Sequence, residues 1–106
     1  MTSRVVVTGL GMVSPIGIGV AEFWKAALEG RSGVTAIESF DPFPMDLYRC
    51  RVAGQVRGFS PIQYLEGPMV ERVDRYAQFA LVATKEALTD AGLRMDQTRP
   101  HRVGVI

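Results

Sequence analysis

Apolar residues form short β-branched runs near both ends of this chain and helical repeats between them. Residues 5–7 are three consecutive valines, and residues 103–106 read Val-Gly-Val-Ile. Short apolar runs beside turn residues are typical of buried strands. We predict a strand at each place. Because the second run is followed by neither a turn nor a polar tail, we expect its neighbouring strands to come from polypeptide outside this sequence.

Two stretches place apolar residues at helical spacing. The first, from residue 20, predicts a short amphipathic helix that Gly30 ends in a left-handed conformation. The second, residues 69–91, predicts one long helix whose wide apolar face is covered on most sides and which ends at Gly92. On this helix an ion pair between Glu71 and Arg75 would stabilise the helix, whereas repulsion between Glu86 and Asp90 would slightly destabilise it.

The pattern between these helices is less regular. Residues 31–48, with prolines at 42 and 44, predict a surface loop. From Cys50 the chain alternates with a period of two, which predicts a strand or hairpin arm with Cys50, Val52, Gly54 and Val56 on its buried face. Residues 60–61, Ser-Pro, open a short helical turn, and residues 67–68, Gly-Pro, interrupt the chain.

Composition and charge narrow the function classes. The 106 residues are 47% apolar and 22% charged, with a formal net charge of +1, so charge gives no attraction to nucleic acid or to an anionic membrane. No apolar run approaches the roughly 20 residues of a membrane span. One cysteine excludes an internal disulfide and favours a cytoplasmic setting. Glycines at 9 and 11 interrupt the only segment that imitates a secretion signal.

The glycine turn after the first valines invites comparison with a dinucleotide-binding loop. That motif needs a third glycine and a helix starting directly after the turn. Here Ser14 takes the place of the third glycine, and the helix is delayed to about residue 20. We expect no nicotinamide or flavin cofactor at this turn.

Candidate catalytic groups are few. The only thiol is Cys50 and the only imidazole is His101. We expect Cys50 to be a small buried apolar residue and His101 to be solvated beside Pro100. One cysteine and one histidine make neither a metal site nor a catalytic triad, so we assign no catalytic or metal-binding residue.

Several short sequence blocks, spaced along the chain, closely resemble the N-terminal part of β-ketoacyl-acyl-carrier-protein synthases. The likeness is to both the type II elongating enzymes and their polyketide relatives. The resemblance covers essentially all 106 residues. The blocks are residues 4–17, 23–24, 30–33, 40–41, 52–54, 73–75 and 87–93.

The resemblance implies an α/β, thiolase-like fold built from two βαβ-rich halves, usually in a homodimer or ketosynthase heterodimer. Residues 1–106 would be an incomplete N-terminal portion of the first half, inactive alone. Such enzymes load an acyl chain onto a cysteine and condense it with malonyl-acyl carrier protein, using substrates on phosphopantetheine and no bound cofactor. Their cysteine follows alanine and precedes serine or threonine, a context that Cys50 lacks, so the catalytic residues would lie downstream.

The resemblance also implies a docking surface for acyl carrier protein. Arg72 matches a basic family position near the start of the long helix, and Arg75 lies one turn further on. Glu71 and Pro68 stand where the bacterial fatty-acid enzymes tend to be basic. A modified docking patch and a solvated helix end both fit this pattern.

Two other function classes fit the same residues. One is a non-catalytic subunit resembling a chain length factor, which shares the fold without the nucleophile. The other is a free-standing α/β binding module. The sequence leaves acyl-chain length and the choice between fatty acid and polyketide synthesis open.

Overall fold

A computed structural model of the chain describes residues 2–37 and 45–106. Two short antiparallel strand pairs are separated by one helix, and two further helices follow the second pair. The strands are β1 (Val13–Ser14), β2 (Gly17–Ile18), β3 (Val34–Ala36) and β4 (Val52–Gly54), and the helices are α1 (Val20–Leu28), α2 (Gly67–Arg72) and α3 (Arg75–Asp90). Single 3₁₀ turns occupy Met45–Leu47, Pro61–Gln63, Met95–Gln97 and Pro100–Arg102. The predicted turn at residues 41–44 and the family block at residues 40–41 lie outside the described residues.

The glycine loop contains a hairpin that leads directly into α1. Val13 pairs with Ile18, and Ser14 pairs with Gly17 across the turn at Pro15. The Ser14 hydroxyl donates to the Gly17 carbonyl at 3.0 Å, which holds the turn closed. Helix α1 then ends before Gly30, whose φ of 66° confirms the predicted left-handed stop.

The second hairpin corrects two predictions. β3 lies inside the stretch predicted as a loop, where it pairs with β4 from Val34↔Gly54 to Ala36↔Val52. Its three residues are exposed, so they carry no hydrophobic alternation that sequence reasoning could detect. In β4 the central Ala53 is less exposed than Val52, which places the predicted alternation on the wrong face.

The predicted long helix is two helices. Val73 and Asp74 have extended backbones, with ψ of 142° and 161°, and separate α2 from α3. Asp is a preferred residue at a helix N-cap, and Asp74 takes that position for α3. Glu71 and Arg75 therefore lie on different helices, and their predicted helical pair does not form. The 67–68 dipeptide opens α2 with Pro68 in its first turn, while Gly92 ends the helical region with a φ of 64°.

Residues 5–7 and 103–106, predicted as strands, form no strand with the described part of the chain. Both segments are mostly exposed, with Val5 95% and Val105 99% accessible. A strand needs a hydrogen-bonded neighbour, and the described residues supply none to either segment. Both segments therefore have the apolar composition of strands but no neighbouring strand among the described residues.

The core of the described residues is small. Ala26, Phe59 and Val82 are the buried apolar residues, and Gln78 is the buried polar residue. The radius of gyration of 17.4 Å exceeds the value of about 13 Å typical of a compact domain of this size. Trp24 remains 60% exposed, so the predicted apolar face of α1 is only partly covered. In the described residues no helix is long and apolar enough to cross a membrane.

Candidate functional site

The glycine loop lies directly against the backbone of α3. A Cβ atom on Gly9 would come within 2.2 Å of the Ala87 carbonyl oxygen, and one on Gly11 within 1.8 Å of the Ala83 carbonyl oxygen. Real Cβ atoms do not approach other atoms so closely. The two glycines therefore serve helix packing, with successive turns of α3 receiving them.

Two carboxylates of α3 hold the amides of this loop. Glu86 Oε2 accepts from Met12 N at 2.9 Å, and Asp90 Oδ2 accepts from Leu10 N at 3.0 Å. The other oxygen of Glu86 accepts from Val20 N, the first amide of α1, at 2.8 Å. Glu86 thus occupies the anion position at the N-terminus of α1, where helices favour negative charge.

The side chain of Arg75, a predicted docking residue, contacts other residues of this chain. Its guanidinium lies 5.1 Å from the ring centre of Phe79 and 5.6 Å from that of Phe59, within the range of cation–π attraction. It also donates to the Val56 carbonyl at 3.0 Å. The Phe59 and Phe79 rings meet edge to face at 4.8 Å, so Arg75 closes an aromatic cluster at the start of α3.

The buried side chain of Gln78 also forms contacts at the start of α3. Its Nε2 donates to the carbonyls of Val70 and Val73, each at 3.1 Å. These carbonyls lie at the end of α2, where a helix leaves its acceptors without intrahelical partners. Gln78 therefore ties the end of α2 to the first turns of α3. We call the junction of these helices, residues 70–78, the α2–α3 corner.

Arg72, the other predicted docking residue, ends α2 at the surface. Its side chain is exposed and forms no hydrogen bond or ion pair with another described residue. The structure thus separates the two predicted docking arginines. Arg75 supports the α2–α3 corner, and Arg72 is displayed by it.

Cys50 and His101 lie on separate exposed segments. The Cys50 thiol is exposed and donates to the Val52 carbonyl at 3.4 Å, so the prediction of a buried thiol is wrong. The cause is the position of Cys50 before β4, beyond the paired residues. His101 lies in the Pro100–Arg102 turn and is exposed, as predicted. Among the described residues no group of three or more His, Cys, Asp or Glu side chains could hold a metal ion.

Two open apolar grooves follow α3. The larger, of about 740 Å³, runs between α1 and α3 and includes Trp24, Tyr64 and Val82 in its lining. The other, of about 690 Å³, includes Leu81, Leu88 and Leu93. Helix α3 is therefore covered where the glycine loop packs and at its start, where Phe59 and the end of α2 pack, and not on most sides as predicted.

Sequence reasoning missed the roles of Glu86, Asp90 and Gln78. The spacing of Glu86 and Asp90 predicts only mutual repulsion, yet both carboxylates accept backbone hydrogen bonds. The available signal was their spacing of four residues on the helix, together with a glycine loop whose amides need acceptors. Gln78 gave a weaker signal, a polar residue next to the apolar positions 77 and 79.

Comparison with known proteins identifies the family. The sequence model of "Beta-ketoacyl synthase, N-terminal domain" matches residues 2–106. The tetracenomycin polyketide synthase ketoacyl synthase beta subunit of Streptomyces glaucescens is 44% identical over 96% of this chain and 24% of its own length. The 3-oxoacyl-[acyl-carrier-protein] synthase 2 of Coxiella burnetii is 40% identical over the same shares.

A solved structure carries the same fold. The ishigamide ketosynthase/chain length factor superposes with a TM-score of 0.72 at 34% identity, over 86% of this chain and 22% of that one. The chain thus spans about a quarter of the length of the relatives it matches. The described helices and strands accordingly represent part of a ketosynthase-type fold, and the chain belongs to the β-ketoacyl synthase family, within its N-terminal domain.

Proposed function

We propose that the full-length protein containing this segment is a 3-oxoacyl-[acyl-carrier-protein] synthase of fatty acid or polyketide synthesis. The observation that carries the proposal is the family match over residues 2–106. Identities of 40 to 44% to a 3-oxoacyl synthase and to a polyketide ketoacyl synthase subunit support both pathways equally. The proposal includes a cytoplasmic protein with an α/β, thiolase-like fold of two halves, acting as a homodimer or a ketosynthase heterodimer.

The reaction is a decarboxylative Claisen condensation. A cysteine thiolate attacks the acyl-carrier thioester and takes the acyl group, and the carrier's thiolate leaves and is protonated by solvent. Malonyl-carrier protein then loses CO₂, and the resulting enolate carbon attacks the acyl-cysteine carbonyl. The new carbon–carbon bond forms as the cysteine thiolate leaves, which gives 3-oxoacyl-carrier protein. The nucleophile and the groups that stabilise the enolate and oxyanion would come from the remaining polypeptide.

Within this reaction residues 1–106 would supply scaffold and docking surface. The glycine loop, α1 and α3 form one unit through Glu86 and the close approach of Gly11 to Ala83. Arg72 would meet the acidic carrier protein, because its exposed cation has no partner among the described residues. Complementary charge mainly accelerates and orients such encounters.

Reconstitution of the full-length protein tests the activity. Purified protein is incubated with acyl- and malonyl-carrier proteins, and 3-oxoacyl product and CO₂ are measured by mass spectrometry. We expect product from the full-length protein and none when the downstream cysteine that follows alanine is changed to alanine. Residues 1–106 alone should give no product. Absence of product from well-folded full-length protein with its partner subunit would contradict the enzyme proposal.

A chain-length-factor-like subunit is the second candidate. Two findings favour it: one relative is a ketoacyl synthase beta subunit, and the solved structure is a ketosynthase/chain length factor. The downstream reading frame separates the candidates, since cysteine between alanine and serine or threonine indicates the enzyme and glutamine indicates the partner subunit. A sharp cooperative unfolding transition of residues 1–106 alone would instead favour the free-standing binding module.

A further inference from the structure

We infer that Arg75 and Gln78 are positioning residues for carrier-protein docking. Gln78 ties the end of α2 to α3, and Arg75 ties the start of α3 to Val56 and Phe59, so the α2–α3 corner that presents Arg72 is held on both sides. The inference rests on the proposed function, since it concerns the same encounter with an acidic carrier protein. It goes further by giving the two basic residues of the corner different roles.

The contacts of Arg75 distinguish it from a docking charge. Its guanidinium interacts with Phe59 and Phe79 and donates to the Val56 carbonyl. These contacts use the planar shape of the guanidinium as much as its charge. A lysine would keep the charge but lose the planar, forked donor that reaches rings and carbonyl together. Arg75 therefore acts through shape, and Arg72 through charge.

Gln78 controls the orientation of α2. This helix has six residues, and isolated helices shorter than about 12 residues are marginal in water. The 8% exposed Gln78 amide supplies donors to the Val70 and Val73 carbonyls on either side of Arg72. Without Gln78 the carbonyls of Val70 and Val73 would lose their hydrogen-bond donor, and the end of α2 with Arg72 would sample several positions.

Positioning matters because one exposed ion pair is weak. Surface pairs typically contribute about 0 to 1 kcal/mol, which corresponds to at most about a fivefold change in affinity. Holding the side chain's base in place before the encounter reduces the entropy lost on binding. By holding the backbone at Arg72 in place, the α2–α3 corner would lower the entropy cost of docking through this one arginine.

Four variants of the full-length synthase test this division of roles. Arg72→Ala removes the charge, Arg72→Lys keeps it, Arg75→Lys keeps charge but changes shape, and Gln78→Met removes the two internal donors. The KM and kcat are measured with acyl-carrier protein and with the same acyl group on pantetheine. Pantetheine lacks the carrier protein's surface and serves as the internal control for folding and chemistry.

We expect Arg72→Ala, Arg75→Lys and Gln78→Met each to raise the KM for acyl-carrier protein about three- to fivefold, with the KM for acyl-pantetheine unchanged. Arg72→Lys should change the carrier-protein KM less than twofold. If Gln78→Met fails to fold, the surface substitution Arg75→Lys decides alone.

The outcomes separate this inference from the proposed function. A raised carrier-protein KM in Arg72→Ala with normal values in Arg75→Lys and Gln78→Met would overturn the inference and leave the docking proposal standing. A normal KM in Arg72→Ala would overturn both. Equal increases with acyl-pantetheine would also overturn the inference, because the substitutions would then act on the enzyme as a whole. Absence of product from the unsubstituted protein is the separate failure of the proposed activity.

Discussion

The carboxylate of Glu86, near the end of α3, accepts a 2.8 Å hydrogen bond from the amide of Val20, the residue that begins α1. The N-cap of α1 is Gly19, which offers no side chain to the first amides of the helix. Glu86 supplies the missing acceptor and binds the Met12 amide with its second oxygen. One side chain therefore joins the glycine loop and both helices.

Glu86→Gln should loosen this junction in the full-length protein. The amide side chain keeps one acceptor but turns an NH₂ donor toward the second backbone N–H. We expect a loss of about 1–3 kcal/mol in the free energy of unfolding. Hydrogen–deuterium exchange should show faster exchange of the Met12 or Val20 amide.

Glu71→Gln is the matched control for that substitution. Glu71 is exposed on α2 and forms no hydrogen bond or ion pair with another described residue. Its removal should leave exchange and unfolding unchanged. Identical exchange at residues 12 and 20 in the two variants would show that Glu86 does not hold the junction.

Gly11→Ala should be strongly destabilising. The added methyl would meet the Ala83 carbonyl at 1.8 Å, so loop and helix must separate. Overpacking of this kind costs about 1–3 kcal/mol, and more where the backbone cannot move. Gly67→Ala is the control, because open space surrounds that position at the start of α2. Equal thermal midpoints for the two variants would refute the close packing.

Phe59→Ala should lower the free energy of unfolding by about 3–5 kcal/mol, the usual range for a buried aromatic residue. Phe59 is 7% exposed and contacts Tyr64, Phe79 and Arg75. Tyr76→Ala removes an aromatic ring that is 76% exposed and should change stability by less than about 0.5 kcal/mol. Chemical denaturation measures both. A small effect of Phe59→Ala would mean that the cluster contributes little to the fold.

Cys50→Ser should leave condensation intact. The thiol is exposed before β4, and no described histidine or carboxylate hydrogen-bonds to it. We expect at least about half of the unsubstituted rate of 3-oxoacyl formation, since surface substitutions usually disturb structure little. Loss of product at an unchanged thermal midpoint would assign Cys50 a catalytic role that its surroundings do not indicate.

Local signals predicted the parts of the fold that depend on local physics. Helix α1 and its glycine stop follow from periodicity and turn chemistry within a few residues, and the position of β4 was predicted although its less exposed face was not. The break at Val73 and Asp74 was missed because the apolar repeat continues across it. At the break the Gln78 side chain donates to the Val70 and Val73 carbonyls, a contact that the apolar repeat does not reveal.

The predicted strands at the two ends do not form among the described residues for a different reason. Residues 5–7 and 103–106 have the composition of strands, but a strand forms only against a hydrogen-bonded neighbour. In the candidate site, too, the sequence pattern does not reveal which residues of other segments are in contact. Spacing predicts Arg72 and Arg75 as two equivalent charges, whereas the contacts of Arg75 with Val56 and Phe59, which lie in an earlier segment of the chain, separate their roles.

The contact between Gly11 and α3 leaves no room for compensation by a second substitution. The three atoms nearest to an added methyl belong to the main chain of Ala83 and Ala87. Trimming either alanine to glycine would leave those atoms in place. A Gly11→Ala, Ala83→Gly double variant should therefore stay as unstable as the single variant or become worse, so we expect this position to admit no partner change on the helix.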